Sequence, residues 1–139
     1  MKNYLEIFSE SYQRVLKTTI DGQDFFEAFY RAFIASSDEV ADKFRDVEMG
    51  QQRAHLRRSL DHMIYFSIDR KASDELFKTA KVHGKSGKNI RPALYEAWLD
   101  SLLETVRVYD PACDVEAEIA WQVVLAPGIT YMKTHFNRT

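Results

Sequence analysis

The stretch SDELFKTAKVHGKSGKNIRPALYEAW, residues 73–98, decides the fold. Ser73 followed by Asp74 and Glu75 predicts a helix start, because a serine hydroxyl caps the first free amides and carboxylates suit the positive end of the helix dipole. Leu76, Phe77, Ala80 and His83 keep the helical period until Gly84 to Gly87 breaks it. Pro92 suits the first position of a second helix, and Leu94, Tyr95, Trp98, Leu99, Leu102 and Val106 carry that helix to the stop at Asp110-Pro111. Two helices therefore meet at a short glycine-containing corner. A single imidazole, His83, sits at the end of the first, on its apolar side.

The same period runs outward in both directions. Leu5, Phe8, Tyr12 and Leu16 predict a first amphipathic helix that ends between Thr18 and Gly22. Phe25, Phe26, Phe29, Tyr30 and Phe33 put an aromatic face on a second helix, which begins after Asp21 or Gln23. Ser36 and Glu39 have the spacing of a capping box, predicting a short helix that carries Val40 toward Phe44. Met49, Gln52, Leu56, Leu60 and Met63 form one stripe of a helix that reaches about Ser67. A last helix runs from about Asp114, with Ile119, Val123, Val124, Ile129 and Met132 as apolar positions and a kink expected at Pro127-Gly128. No repeat, low-complexity tract or long linker divides the chain, so one all-α domain over residues 1–139 is expected.

Composition limits what such a domain does. Its 139 residues are 29% charged and 45% hydrophobic, with a formal net charge of −2, which gives no general pull toward nucleic acid or an anionic membrane. Arg53, Arg57 and Arg58 form a local basic cluster, read as a solvated helix face. The lone Cys113 makes no internal disulfide and supplies one thiolate at most, which suits a reducing, cytoplasmic setting. MKNYLEIFSESYQR, residues 1–14, mixes acids with apolar residues, unlike a signal peptide or a membrane span.

Several blocks, in this order and at these separations, resemble the globin family, especially bacterial single-domain globins and the haem domains of globin-coupled sensors. They are Phe29-Tyr30, Phe44, Gln52 with Leu56 and Leu60, Val82-His83-Gly84, Ile90-Arg91-Pro92, and Leu94-Tyr95 leading to Leu102-Leu103. The resemblance implies an all-α globin-like fold with a short or absent D helix and a haem b cofactor, iron protoporphyrin IX. It makes His83 the proximal metal ligand, Tyr30 the distal hydroxyl that donates to a bound gas, and Phe44 a wedge at the porphyrin edge. The rest of the implied cofactor-binding set is Phe33, Gln52, His55, Leu56, Ser59, Val82, Ile90, Tyr95 and Trp98.

Physical chemistry accounts for these residue types. Haem is a flat apolar plate, so its pocket needs aromatic and aliphatic walls and one imidazole nitrogen that reaches the metal. A histidine on an apolar helix face also occurs as a core residue bonded to a carbonyl; the surrounding blocks favour ligation. Tyr30, Phe44, Tyr95 and Trp98 taken singly would equally serve as aromatic core. Two registers remain open on the helix of Gln52. With Gln52 distal, Leu56 lies one turn on; sliding by three residues makes His55 distal with Ser59 beside it, and a free His55 is then a sixth ligand. In some bacterial globins a tyrosine and a glutamate on the last helix support the proximal histidine, where this chain has Leu125 and Phe136.

The implied function is binding of a diatomic gas, dioxygen first and also carbon monoxide or nitric oxide, for storage, scavenging or sensing. Nitric oxide dioxygenation is the enzymatic alternative and needs a separate reductase; no residue of this chain is assigned a catalytic role. A sensor that signals to a partner protein, as monomer or homodimer, and a helical module without haem complete the range.

Overall fold

The computed structural model describes residues 2–138, with Arg138 described by its backbone alone. The helices are α1 (Tyr4–Leu16), α2 (Phe25–Ala35), α3 (Asp38–Lys43), α4 (Met49–Asp69), α5 (Asp74–His83), α6 (Leu94–Tyr109) and α7 (Val115–Thr134), followed by a 3₁₀ turn over Phe136–Arg138. Among the described residues there is no strand, only an isolated bridge between Ile20 and Gln23. No helix of these residues is long and apolar enough to cross a membrane. The chain passes from α3 to α4 over 44–48 without a further helix, in keeping with the absent D helix.

Short polar side chains set where most helices begin. Asn3, Asp24, Ser37, Glu48, Ser73 and Asp114 each accept from an amide of the first turn they precede. The capping box lies at Asp24 and Glu27, where both reciprocal bonds are made. This corrects the expectation for Ser36, which ends α2 by donating to the Phe33 carbonyl while its neighbour Ser37 caps α3. Pro92 is likewise displaced from the predicted place. It lies in a turn two residues ahead of α6, whose start has no side-chain cap. Helix α7 is assigned as one α-helix through Pro127.

Helix α7 is the spine: α1 and α4 pack along it, while α2 packs on α6. Phe8 and Tyr12 of α1 meet Trp121 of α7 edge-on, with ring centres 4.7 Å and 5.8 Å apart. Phe25 of α2 reaches both Tyr109 of α6 and Trp121. This aromatic block fills one half of the molecule. The other half, bounded by α2 to α7, encloses a cavity.

Candidate functional site

The cavity comprises about 1010 Å³ of space, open solvent at its mouth included. Each helix from α2 to α7 contributes lining. Tyr30 and Phe33 come from α2; Gln52, His55, Leu56, Ser59 and Met63 from α4; Leu76, Thr79 and His83 from α5; Leu94, Tyr95 and Trp98 from α6. Val40 and Lys43 of α3, Phe44, Val47, Lys88 and Ile90 of the connections, and Ile129 and Met132 of α7 complete it. Eleven of the twelve residues singled out in the sequence therefore meet in one place. Val82 does not: it is 47% exposed and lines a second pocket of mostly polar residues, with Glu75 and Lys78 and with Gln52, His55, Thr79, His83 and Lys88, which line both.

His83 closes α5, whose Ser73 cap fixes the helix start and therefore the face each later residue presents. Gly84 follows as the C-cap, and the chain folds back on itself: Ile90 N donates to the His83 carbonyl and Asn89 N to that of Gly84. Burial pushes the His83 imidazole down to about 4, and nearby Lys88 and His55 add to the shift, so the ring is neutral at pH 7. Its Nδ1 lies 3.4 Å from the Tyr95 hydroxyl on the other side of the corner. In the tautomer whose proton sits on Nδ1, facing that hydroxyl, Nε2 is left as a lone-pair donor.

Tyr30 and Gln52 form the second polar group. The Gln52 side-chain amide donates to the Tyr30 hydroxyl at 3.2 Å. That hydroxyl lies 3.5 Å from the Gln52 backbone carbonyl, at the outer limit of a hydrogen bond, so the bond it donates there is weak. Burial raises the Tyr30 hydroxyl to about 12, against a smaller opposing effect of the Gln52 bond, and it stays protonated. Phe44 packs edge-on against both Tyr30 and Phe33, fixing the tyrosine ring. His55 lines the cavity and the polar pocket alike. Its contact with Ser59 is long, at 3.4 Å, and burial with neighbouring Arg58 and Lys88 lowers its pKa.

Geometry also adds residues that the sequence did not flag for the site. Leu76 and Thr79 stand with His83 on one face of α5, at steps of three and four; in the sequence Leu76 reads only as helical period and Thr79 has no part in the pattern. Lys43 and Lys88 come from distant segments, and the Lys43 ammonium donates to the Lys88 carbonyl. No local spacing announces that pair. Support for the His83 ring comes from Tyr95 of α6; Leu125 is fully buried in the core and Phe136 meets this region through its carbonyl, which accepts from Lys85 N.

No protein-family profile matches the chain, and no curated protein does. Among solved structures, a protein from Pseudomonas aeruginosa PAO1, described as structurally highly homologous to a human haemoglobin, superposes with a TM-score of 0.89. It is 32% identical, over 97% of this chain and 99% of the other. With the helical order, the cavity and this likeness together, the chain belongs to the globin family.

Proposed function

We propose that the cavity holds haem, that His83 ligates its iron, and that the protein binds a diatomic gas, dioxygen foremost, beside Tyr30 and Gln52. One observation carries this reading. A single, largely apolar cavity is lined both by a buried neutral imidazole and by a protonated hydroxyl paired with an amide, on different helices. The haemoglobin-like fold agrees with it.

The residues present fit the group. Aromatic and aliphatic walls suit a flat apolar body, and the buried neutral imidazole of His83 would suit its iron. Haem supplies, when bound, a ferrous iron that takes the gas reversibly. His83 would offer Nε2 without first losing a proton, and with the proton on Nδ1 the Tyr95 hydroxyl, 3.4 Å away, would accept from it and orient the ring. Tyr30 and Gln52 would provide donors to a polar ligand inside a space whose walls include the rings of Phe44 and Trp98. The resemblance to globins implies a macrocycle of the b type, and with Cys113 alone the chain lacks the C-x-x-C-H attachment of a c-type haem.

Absorption spectra of the protein supplied with haem test the proposal. The expected result is a Soret band that shifts on reduction and again with carbon monoxide, and that is lost or displaced in His83→Ala. An absent band in the wild type overturns haem binding; an unchanged spectrum in the variant overturns the ligand assignment.

A further inference from the structure

The side chain of His83 is held loosely, since its contact with the Tyr95 hydroxyl is 3.4 Å long. The direction in which the ring leaves the chain is therefore set mainly by the backbone. That backbone is gripped on both sides by the corner that follows α5. Lys88 N donates to the Val82 carbonyl at 2.7 Å, which fixes the peptide plane before His83, and Ile90 N donates to the His83 carbonyl at 2.9 Å, which fixes the plane after it. Gly87 N and Asn89 N both donate to the Gly84 carbonyl, at 3.0 and 2.9 Å, and close the corner from within. From outside, the Phe136 carbonyl accepts from Lys85 N and the Lys88 carbonyl accepts from the Lys43 ammonium.

The first of these bonds depends on a missing side chain. A Cβ on Gly87 would lie 2.1 Å from the Val82 carbonyl oxygen, 2.9 Å from its carbon and 3.3 Å from the Lys81 carbonyl oxygen. All three are backbone atoms of the last turn of α5 and cannot rotate aside as a side chain would. Ordinary contact begins at 3.4 Å, so helix and corner would have to part by about 1.3 Å, the difference between 3.4 and 2.1 Å. A shift of that size takes the 2.7 Å bond past the limit of a hydrogen bond. The need for glycine at 87 is one of space, because its φ is not in the left-handed region. Asn89 is the left-handed residue of the corner, at φ 55, a conformation that asparagine tolerates better than most side chains and that turns Ile90 N back toward His83.

We infer that Gly87 is a positioning residue for His83: the corner it permits holds the peptide planes on either side of the histidine and so aims the imidazole into the cavity. The inference rests on the haem reading of that cavity. Gly87 itself is exposed and lines neither pocket, so it acts through the backbone and touches no ligand. Removing the groups that orient a metal ligand costs about ten- to hundredfold in metal affinity. Gly87→Ala is therefore expected to speed haem loss by about tenfold or more and to shift the iron–imidazole vibration.

Gly22→Ala is the comparison. Gly22 has φ +79 and open surroundings, between α1 and α2, so alanine there strains the chain and leaves the corner alone. In the haem-loaded carbon monoxide form, amide hydrogen exchange followed by NMR reads the corner itself. The Lys88 amide is expected to be protected in the wild type and in Gly22→Ala and to exchange freely in Gly87→Ala. Resonance Raman spectra of the ferrous proteins read the ligand, with the iron–imidazole band expected to move in Gly87→Ala and to hold its place in Gly22→Ala. A Lys88 amide still protected in Gly87→Ala, a band unmoved although the amide has opened, or an equal band shift in Gly22→Ala overturns the inference and leaves haem binding standing. A wild type without a Soret band overturns the haem reading and the inference with it. Should Gly87→Ala lose the native circular dichroism spectrum, Asn89→Ala reads the same corner by straining the residue that returns Ile90 N to His83. A smaller shift of the same band is expected there, and an unmoved band overturns the role of the corner.

Discussion

At the scale of single residues, the site rests on two hydrogen-bonded tyrosines that do different work. Tyr30 keeps its proton because burial raises it to about 12, and the loose 3.5 Å contact with the Gln52 carbonyl leaves that proton free to turn toward a ligand. Tyr30→Phe is expected to speed dioxygen release on the order of ten- to hundredfold, the equivalent of losing a charge-assisted bond of about 1.5–3 kcal/mol. Stopped-flow displacement of dioxygen by carbon monoxide measures it, and an unchanged rate removes Tyr30 from the ligand's contacts. Tyr95 acts through His83 instead. Its 3.4 Å contact is long, so Tyr95→Phe is expected to speed haem loss by up to about tenfold, the low end for support of a metal ligand. It should also shift the iron–imidazole vibration, which a change in cavity volume alone leaves in place. Tyr30, Phe44, Gln52 and His83, which all line one cavity, were legible as a set only through the resemblance to globins. The bond between His83 and Tyr95 was not. It spans a corner whose fold depends on backbone bonds, such as Lys88 N to the Val82 carbonyl, that no side-chain pattern encodes.

At the scale of elements, helix starts illustrate where local chemistry decides and where it does not. Ser73 and Asp114 were readable because each stands alone before its helix. Ser36 and Ser37 are adjacent and equally able to cap, and only the length of α2 settles which one does. Helix α7 contains a subtler case. The Pro127-Gly128 pair reads as a kink in sequence, whereas the structure gives Gly128 a packing reason. A Cβ there would lie 2.8 Å from Cγ and 2.9 Å from Cε of Met63, so the glycine lets α4 come close to α7. Gly128→Ala is expected to destabilise by about 1–3 kcal/mol through overpacking, despite the better helix propensity of alanine. Because Met63 is the obstacle, Met63→Ala in the same chain should make the double variant more stable than the two single costs predict when added. Urea unfolding of the four proteins measures this, and strict additivity rules out the steric account.

At the scale of the whole molecule, the aromatic half is tied together by a single carboxylate. Asp110 ends α6 with its side chain wholly out of water; it accepts from the Ser11 hydroxyl at 2.6 Å, from the Arg14 guanidinium at 2.6 and 3.0 Å, and from Ala112 N. Ser11 in turn accepts from the Trp121 indole at 2.9 Å, so α1, α6 and α7 share one network. In the sequence Asp110-Pro111 reads only as a helix stop, since the partners lie 96 and 99 residues away. Burial alone would raise the carboxyl; the Arg14, Ser11 and Ala112 bonds outweigh it and hold it below its ordinary 3.8. A carboxylate depressed in the folded state stabilises in full above the unfolded value. As pH falls below about 4 the unfolded chain takes up the proton first, and the contribution drains until the folded carboxyl is protonated too. Asp110→Asn is therefore expected to cost about 2–3 kcal/mol at pH 7, nearer the value of bonds to a charged group than that of a stranded ion, because Arg14 is a third exposed and keeps its water. The same variant should lose less stability than the wild type between pH 5 and 2, so the two curves converge in acid. Denaturant titrations across that range decide it: parallel curves would show that Asp110 carries no proton-linked stability.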